Sequence, residues 1–238
     1  MPAQHIILSQ RLAGPSHGAR FRDRANAFLS RHKGVAAVEL LIMAALFAAP
    51  LFTFSSGILG IAFVLLMLWL RRSNIRDLGL SRPASWPKTI LRGVAAVAVI
   101  LTVQGLVVQP LLRHLFARPP DFSRFHGMNV TQLVGWIAAG WAMSAFAEEI
   151  IRAYLISRIV ELLGDARAGR LGAVAVSSLF YALNHEYQGL AGAAGVVVTC
   201  VGLGLLYLYS KRSLWPNVVC HGLNDSAGFI AIYVGALS

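Results

Sequence analysis

Long apolar runs recur along this chain, and they constrain its fold more than any other feature. The sequence is 57% hydrophobic and only 13% charged, with a mean hydropathy of +0.64, whereas soluble domains carry about 25% charged residues. Runs of about 20 apolar residues are long enough for a helix to cross a bilayer, where helices satisfy their own backbone groups. We therefore expect an all-α, polytopic transmembrane helical bundle of about seven to eight spans.

The apolar runs place the expected spans and divide the chain. The spans are Val35–Leu51, Phe54–Leu70, Gly93–Leu112, Val130–Ala147, Leu171–Asn184, Leu190–Ser210 and Leu214–Leu237. The fourth is expected to continue to Leu163, and the last to break near Asn224–Gly228. We assign residues 1–34 to a basic cytoplasmic tail, 35–129 to N-terminal membrane helices and 130–238 to a membrane core.

The basic residues predict the orientation of the chain. The net charge is +11, but the basic residues lie mostly between apolar segments, as topology signals do. With the N-terminus in the cytoplasm, 16 of the 21 basic residues fall in inner segments, including residues 71–92 and 211–212, and only three fall in outer loops. The composition, with far more Arg than Lys, is typical of a GC-rich bacterial genome. We therefore predict a multi-pass protein of the bacterial inner membrane that binds no nucleic acid.

Three short motifs place ionisable side chains inside these apolar runs. They are Glu148-Glu149-Ile150-Ile151-Arg152, Tyr181-x-x-x-His185 and His221-x-x-x-Asp225. Residues four apart share one helix face. A charge at bilayer depth costs at least about 2.5–3.5 kcal/mol on insertion scales, so such residues indicate function. The motifs predict that the bundle has a buried polar site. Glu39, in the first span, needs either an Arg partner from another helix or a polar cavity.

The first and third motifs suggest different tasks for their members. The side chains of Glu148 and Glu149 diverge by about 100° on a helix, so one can act as a base while the other anchors structure. Arg152 is four residues after Glu148, so we expect these two side chains to pair within the functional site. The alternative is that the ion pair is purely structural and has no part in the function. Asp225 shares a face with His221 and would orient its imidazole or bind a cation.

The same residues have the chemistry of metal ligands. Glu148, His185, His221 and Asp225 are the candidates for holding a divalent ion such as zinc. The chain lacks the His-Glu-x-x-His spacing of common zinc peptidases. A metal-bound water and a water activated by Glu and His alone are therefore equally open.

Taken together, the motifs resemble those of the CAAX protease and bacteriocin-processing membrane family, which includes type II CAAX prenyl endopeptidases and bacteriocin self-immunity proteins. That family's pattern is Glu-Glu-x-x-x-Arg, then Phe-x-x-x-His, then His-x-x-x-Asn or Asp. Order and flanking sequence agree over roughly residues 130–238, notably in the segments 177–189 and 202–216. The resemblance implies that residues 130–238 are the catalytic membrane core of an intramembrane endopeptidase whose substrate is a membrane-associated protein or peptide in the lipid bilayer.

Roles for individual residues follow from the resemblance. Glu148 would activate the water with assistance from His185, and Glu149 and Arg152 would support that site. His221 and Asp225 would stabilise the oxyanion or ligate a metal.

Two departures from the family pattern matter. Tyr181 replaces Phe, and its hydroxyl needs a polar partner. The first motif has two residues between Glu149 and Arg152 where the family has three. Either the Glu pair keeps the family position and Arg152 is displaced, which we favour, or Glu148 is the second glutamate, Ala147 occupies the catalytic position and the protein is inactive.

Two other functions remain open. A non-catalytic immunity or peptide-binding protein would use the same polar cluster structurally, and the short first motif favours it. A transporter or ion-binding protein would relay protons or bind a cation through the intramembrane acids. No inverted repeat is evident in the sequence to support transport.

Overall fold

The computed structural model describes residues 17–48 and 55–237 and contains only helices and turns in those ranges, which confirms the all-α prediction. The first half of the predicted tail at 1–34 and the end of the predicted span Val35–Leu51 lie outside the described residues. The main helices are α1 His17–Arg31, α2 Lys33–Ala48, α3 Ser55–Leu70, α4 Trp86–Leu115, α5 Val130–Leu163, α6 Arg167–Asn184, α7 Gly189–Tyr209 and α8 Trp215–Tyr233. Short helical turns at Arg76–Leu80, Ser123–Phe125 and Glu186–Gln188 lie in the connections.

Three helical stretches in the described part of the chain are long and apolar enough to cross a membrane. They are Trp86–Leu115, Val130–Leu163 and Glu186–Tyr209. Each of the seven predicted spans overlaps a helix, because apolar runs without Pro or Gly clusters favour helix. The predicted count of seven to eight spans is not established by length and hydropathy and stays a prediction.

Helix α5 carries the Glu pair at its centre and runs without interruption from Val130 to Leu163, as expected. Its middle, Gly140–Glu148, is a π-helical segment that ends immediately before Glu149. Such segments are rare in helices and frequent at functional sites. Beyond it, nearly every residue from Glu149 to Val160 is buried, so the second half of α5 is the central helix of the bundle.

The other helices surround α5. Helices α2, α3 and α6 pack against it and α8 packs along its π-helical segment, while α4 lies against α8 and α7 against α6. A second π-helical segment, Gln104–Val108, lies within α4. There the amide of Gln104 donates to the carbonyl of Gly195 at 2.8 Å and to the hydroxyl of Thr199 at 2.7 Å, which ties α4 to α7.

The predicted break near Asn224–Gly228 is wrong, because α8 is continuous from Trp215 to Tyr233. Weak helix propensity suggested the break, but packing outweighs propensity here. Gly222 lies directly against the ring of Trp141, where a Cβ would approach to 2.6 Å. The indole N–H of Trp141 donates to the hydroxyl of Ser226 at 3.2 Å, and that hydroxyl donates to the Gly222 carbonyl at 2.7 Å.

Glu39 has the arginine partner that its position required. Its carboxylate is 2.6 Å from a guanidinium nitrogen of Arg71, which follows α3. The hydroxyl of Tyr154 on α5 donates to the second oxygen, also at 2.6 Å. Glu39 is only 2% exposed, so this network joins α2, the end of α3 and α5 by satisfying a buried charge.

Candidate functional site

A cavity of about 660 Å³ opens among the helices at the level of the three motifs. It is lined by one or more residues from each motif, together with apolar side chains from α2, α4 and α8. The motif residues on its wall are Glu148, Tyr181, His185, His221 and Asp225. Glu149 and Arg152 lie behind this wall, both at most 1% exposed. The structure therefore brings the six predicted site residues together. Four of them face the cavity, and Glu149 and Arg152 lie behind these four.

Glu149 is the most completely bonded carboxylate of the site. One of its oxygens lies 3.0 Å from Nε of Arg152 and 2.8 Å from Nδ1 of His221. The other oxygen accepts from the amide of Asn217 at 2.9 Å and lies 3.2 Å from the same Arg152 nitrogen. A fully buried carboxylate with this many donors is an anchor for its neighbours, because both of its oxygens are already hydrogen-bonded.

The expected pairing of Arg152 with Glu148 is wrong, since Arg152 pairs with Glu149. Residues three and four apart are both neighbours on a helix surface. The first motif is one residue shorter than the family pattern, but its Arg still forms an ion pair with a Glu of the motif, at i,i+3 spacing. Arg152 also donates to the carbonyl and sulfur of Cys200, at 3.4 and 3.5 Å, and its guanidinium lies 4.2 Å from the centre of the Tyr181 ring.

Glu148 faces the opposite way, into the cavity. Its carboxyl makes no hydrogen bond or ion pair with the residues that the structure describes, and it interacts electrostatically with His185, His221 and Asp225. Its backbone carbonyl accepts a hydrogen bond from the hydroxyl of Tyr181. Adjacent glutamates thus occupy two different environments, one closed by hydrogen bonds and one open to the cavity.

His185 lies in the turn that ends α6. Its Nδ1 is 2.8 Å from the carbonyl oxygen of Tyr181, and since a carbonyl only accepts, Nδ1 carries the proton. In the neutral ring Nε2 then keeps its lone pair. Tyr181 therefore links two motifs, because its carbonyl orients His185 and its hydroxyl donates to the backbone carbonyl of Glu148. That carbonyl is the polar partner which the Tyr181 hydroxyl was expected to need.

His221 is oriented by Glu149 and not, as expected, by Asp225. Its Nδ1 bonds to the Glu149 carboxylate, whereas Nε2 lies 3.7 Å from Asp225, beyond hydrogen-bond distance. Asp225 instead receives a long contact of 3.4 Å from the amide of Asn224. The His221 ring is thus fixed from behind, with Nε2 directed towards the cavity side and Asp225.

Sequence reasoning missed Asn217 and Cys200. Asn217 is fully buried and bridges α8 to α5 and α7, because its amide also donates to the carbonyl of Leu203 at 2.8 Å. It precedes His221 by four residues, so the same helix-face spacing that defined the other motifs could have identified it. Cys200 contributes through its carbonyl and sulfur to Arg152, for which the sequence carries no signal.

The four candidate metal ligands do not fit a metal centre in this arrangement. They share one cavity wall, but in the described part of the chain no three side chains of His, Cys, Asp or Glu converge closely enough to hold an ion. Structural and catalytic zinc sites need three or four such ligands at about 2.0–2.3 Å. The divalent metal stays a prediction, and we assign no chemical step to it.

The connection between α4 and α5 covers one side of the cavity. Phe125 is buried against Trp136 and Phe229, with ring centres 5.1 and 5.4 Å apart. The backbone N–H of Asp121 donates to the carbonyl of Gln188 at 3.0 Å. Hydrogen bonds from the side chain and backbone N–H of Ser123 lower the pKa of Asp121 and tie the turn at Ser123 to its carboxylate.

Comparison with known proteins agrees with the motif pattern. Residues 130–227 match the family model described as type II CAAX prenyl endopeptidase Rce1-like, a stretch that contains all three motifs. Neither a curated protein nor a solved structure matches the chain. The resemblance drawn from the motifs is confirmed over this stretch: residues 130–227 are similar to the Rce1-like family of CAAX endopeptidases.

Proposed function

We propose that this protein is an intramembrane endopeptidase that hydrolyses a peptide bond of a membrane-associated protein by means of a water activated by Glu148 and His185. The observation that carries the proposal is that Glu148 and Glu149 have different environments. Glu149 is saturated by Arg152, Asn217 and His221, whereas the Glu148 carboxyl is open to the cavity. This supports the alignment in which the Glu pair keeps the family position and Glu148 is the base.

The remaining residues have supporting tasks in this proposal. With Nδ1 bonded to Tyr181, His185 presents Nε2 as an acceptor and orients the water, while Glu148 takes the water's proton and returns it to the leaving amine. When His221 is protonated, its Nε2–H faces the cavity side and donates to the developing oxyanion. The Asp225 carboxylate, 3.7 Å from that nitrogen, stabilises the imidazolium form. Glu149 and Arg152 position His221 and the Glu148 backbone.

The second candidate is a non-catalytic immunity or peptide-binding protein. The shortened first motif favours it, as does a cavity of about 660 Å³, which lies in the range of ordinary ligand-binding sites. In this case the Glu149 network holds the cavity open and Glu148 forms a polar contact with a bound peptide. Both candidate functions use the same cavity to bind a peptide, and they differ only in whether the peptide is cleaved.

We further propose that the chain lies in the bacterial inner membrane with its N-terminus in the cytoplasm. The distribution of basic residues supports this orientation. Single cysteines introduced at Arg82 and Arg118, labelled in intact cells with a membrane-impermeant maleimide, test it. Labelling at residue 118 and protection at residue 82 are expected, and the reverse pattern contradicts the orientation.

A cleavage screen tests the proposed activity. Purified full-length protein in detergent would be incubated with a library of membrane-anchored peptides, with and without a strong chelator, beside Glu148→Ala and His185→Ala. Cleavage that both substitutions abolish supports the proposal. Loss on chelation, with recovery on adding metal, identifies a metallopeptidase, and insensitivity identifies water activated by the side chains alone. Retained cleavage by both variants refutes the proposal, and peptide binding without cleavage favours the second candidate.

A further inference from the structure

A second concavity, remote from the three motifs, is strongly basic. It measures about 370 Å³ and lies between the connection that precedes α4, the first turns of α4 and the connection between α7 and α8. No acidic side chain is among the described residues on its wall. Five of its lining residues are cationic: Arg82, Lys88, Arg92, Lys211 and Arg212.

Most of these charges are uncompensated. Arg212 pairs with Asp165 at 2.7 Å, but within the described ranges the other four cations form no ion pair with a carboxylate. Lys88 and Arg92 are four residues apart on one face of α4, a spacing at which like charges repel. Folding therefore gathers cations from two separate chain segments and supplies a carboxylate to only one of them, Arg212.

The walls are held in place by hydrogen bonds between those segments. The backbone N–H of Leu214 donates to the carbonyl of Gly79, and the indole of Trp215 donates to the carbonyl of Ser81, both at 3.0 Å. Gly79 has φ = +107° and lies directly against the backbone of Arg212. A side chain there would be strained and would push the two connections apart.

Further donors point into the same space. Ser85 and Ser213 place hydroxyl groups on the wall, whereas the hydroxyls of Ser81 and Thr89 already donate to the carbonyls of Arg76 and Ser85. Helix α4 begins there, and its N-cap Ser85 makes no side-chain cap. Pro87 has no N–H and the N–H of Thr89 donates to the Ser85 carbonyl, so the first-turn N–H groups that remain for a ligand are those of Trp86 and Lys88. Helix N-termini and hydroxyl groups both favour phosphate oxygens.

The concavity lies at the level expected for lipid headgroups. Trp86 begins α4, a helix long enough to span a membrane, and its ring contacts that of Trp215 edge to face at 4.9 Å. Tryptophans concentrate at the membrane–water interface. Both connections are in segments that the basic-residue distribution assigns to the cytoplasmic side, where acidic lipids attract basic clusters.

We propose that this concavity is a binding site for a phosphate-bearing anion, supplied either by the headgroup of an acidic phospholipid or by soluble phosphate. The cations and α4 N–H groups bind the phosphate oxygens. The ligand relieves repulsion between the two connections and fixes the cytoplasmic end of α4 against α8. The proposal does not depend on the hydrolytic function.

Paired variants test the site. Lys88→Gln/Arg92→Gln removes two cations from the wall, and both residues are exposed, so folding is expected to persist. The control, Arg113→Gln/Arg118→Gln, removes the same charge at the other end of α4. Binding of phosphatidylglycerol and phosphatidylcholine to the detergent-purified full-length protein would be measured by native mass spectrometry. Binding of inorganic phosphate would be measured by calorimetry, and melting curves would confirm that both variants fold.

We expect wild type and control to bind phosphatidylglycerol in preference to phosphatidylcholine, and the wall variant to bind it about 30-fold more weakly, as the loss of two basic residues near an anionic headgroup predicts. The same loss seen with inorganic phosphate and not with phosphatidylglycerol assigns the site to soluble phosphate. The proposal is overturned if the wild type binds neither phosphate nor phosphatidylglycerol in preference to phosphatidylcholine. It is also overturned if the wall variant binds as the control does.

Discussion

Replacing Arg152 by Met should destabilise the protein strongly, because it leaves the Glu149 carboxylate buried without its counter-ion. Arg152 is 1% exposed and Glu149 0%. Met has a similar apolar stem but supplies none of the contacts that the guanidinium makes to Glu149 and to Cys200. The cation that lies 4.2 Å from the Tyr181 ring is lost as well.

The expected cost follows from the burial of the pair. Removing one partner of a buried ion pair typically costs about 3–5 kcal/mol, because the remaining charge has no solvent and no partner. Asn217 and His221 still donate to Glu149, which places the expected value near the lower end, about 3 kcal/mol. Replacing both members, in Glu149→Gln/Arg152→Met, should recover part of this loss because no charge then remains buried.

The free energy of unfolding in mixed detergent micelles measures these effects. Arg158→Met is the matched control: Arg158 pairs with Glu161 on the same helix at the same i,i+3 spacing, but with side chains 18% and 27% exposed. We expect it to cost about 1 kcal/mol or less. The reasoning is refuted if Arg152→Met costs no more than Arg158→Met, or if the double variant is less stable than Arg152→Met.

Two further predictions concern packing and the second buried charge. Gly222→Ala should cost about 1–3 kcal/mol of stability through overpacking against Trp141. Gly228→Ala, whose added methyl group meets open space, should be neutral or stabilising. Equal melting temperatures for the two variants would contradict the tight contact between Gly222 and Trp141. Glu39→Leu should cost about 3 kcal/mol because it removes the counter-ion of Arg71, whose side chain is only 10% exposed. Tyr154→Phe should cost only about 1–2 kcal/mol because it removes one hydrogen bond. A smaller loss in Glu39→Leu than in Tyr154→Phe, measured by the same unfolding assay, would show that the network is not organised around Glu39.

The positions of the helices and the convergence of the three motifs on one cavity were predictable from sequence. Apolar runs bounded by Pro and Gly located each span, and the run through the Glu pair predicted the uninterrupted α5. The four-residue spacing placed His185 near Tyr181 and His221 near Asp225, because such pairs share a helix face. The cost of charge in lipid predicted that Glu39 needs a partner, and Arg71 is that partner.

The partner of each site residue was not predictable, because it depends on contacts between helices. Spacing alone does not distinguish the Glu148–Arg152 pair from the Glu149–Arg152 pair, since i+3 and i+4 are both neighbours. Asn217 and His221 decide the matter by converging on Glu149 from α8. Likewise, propensity suggested a break in α8 that packing against α5 prevents.

The central claim is that Glu148 activates water, and the cleavage rate of Glu148→Gln tests it most directly. Gln keeps the shape and polarity of the side chain but is not a base, so loss of rate cannot be attributed to packing. With any peptide that the wild type cleaves, we expect the rate to fall by about 10²–10⁴-fold. Glu161→Gln, on the same helix and outside the cavity lining, should cleave as the wild type does. Cleavage by Glu148→Gln at the wild-type rate would contradict the account.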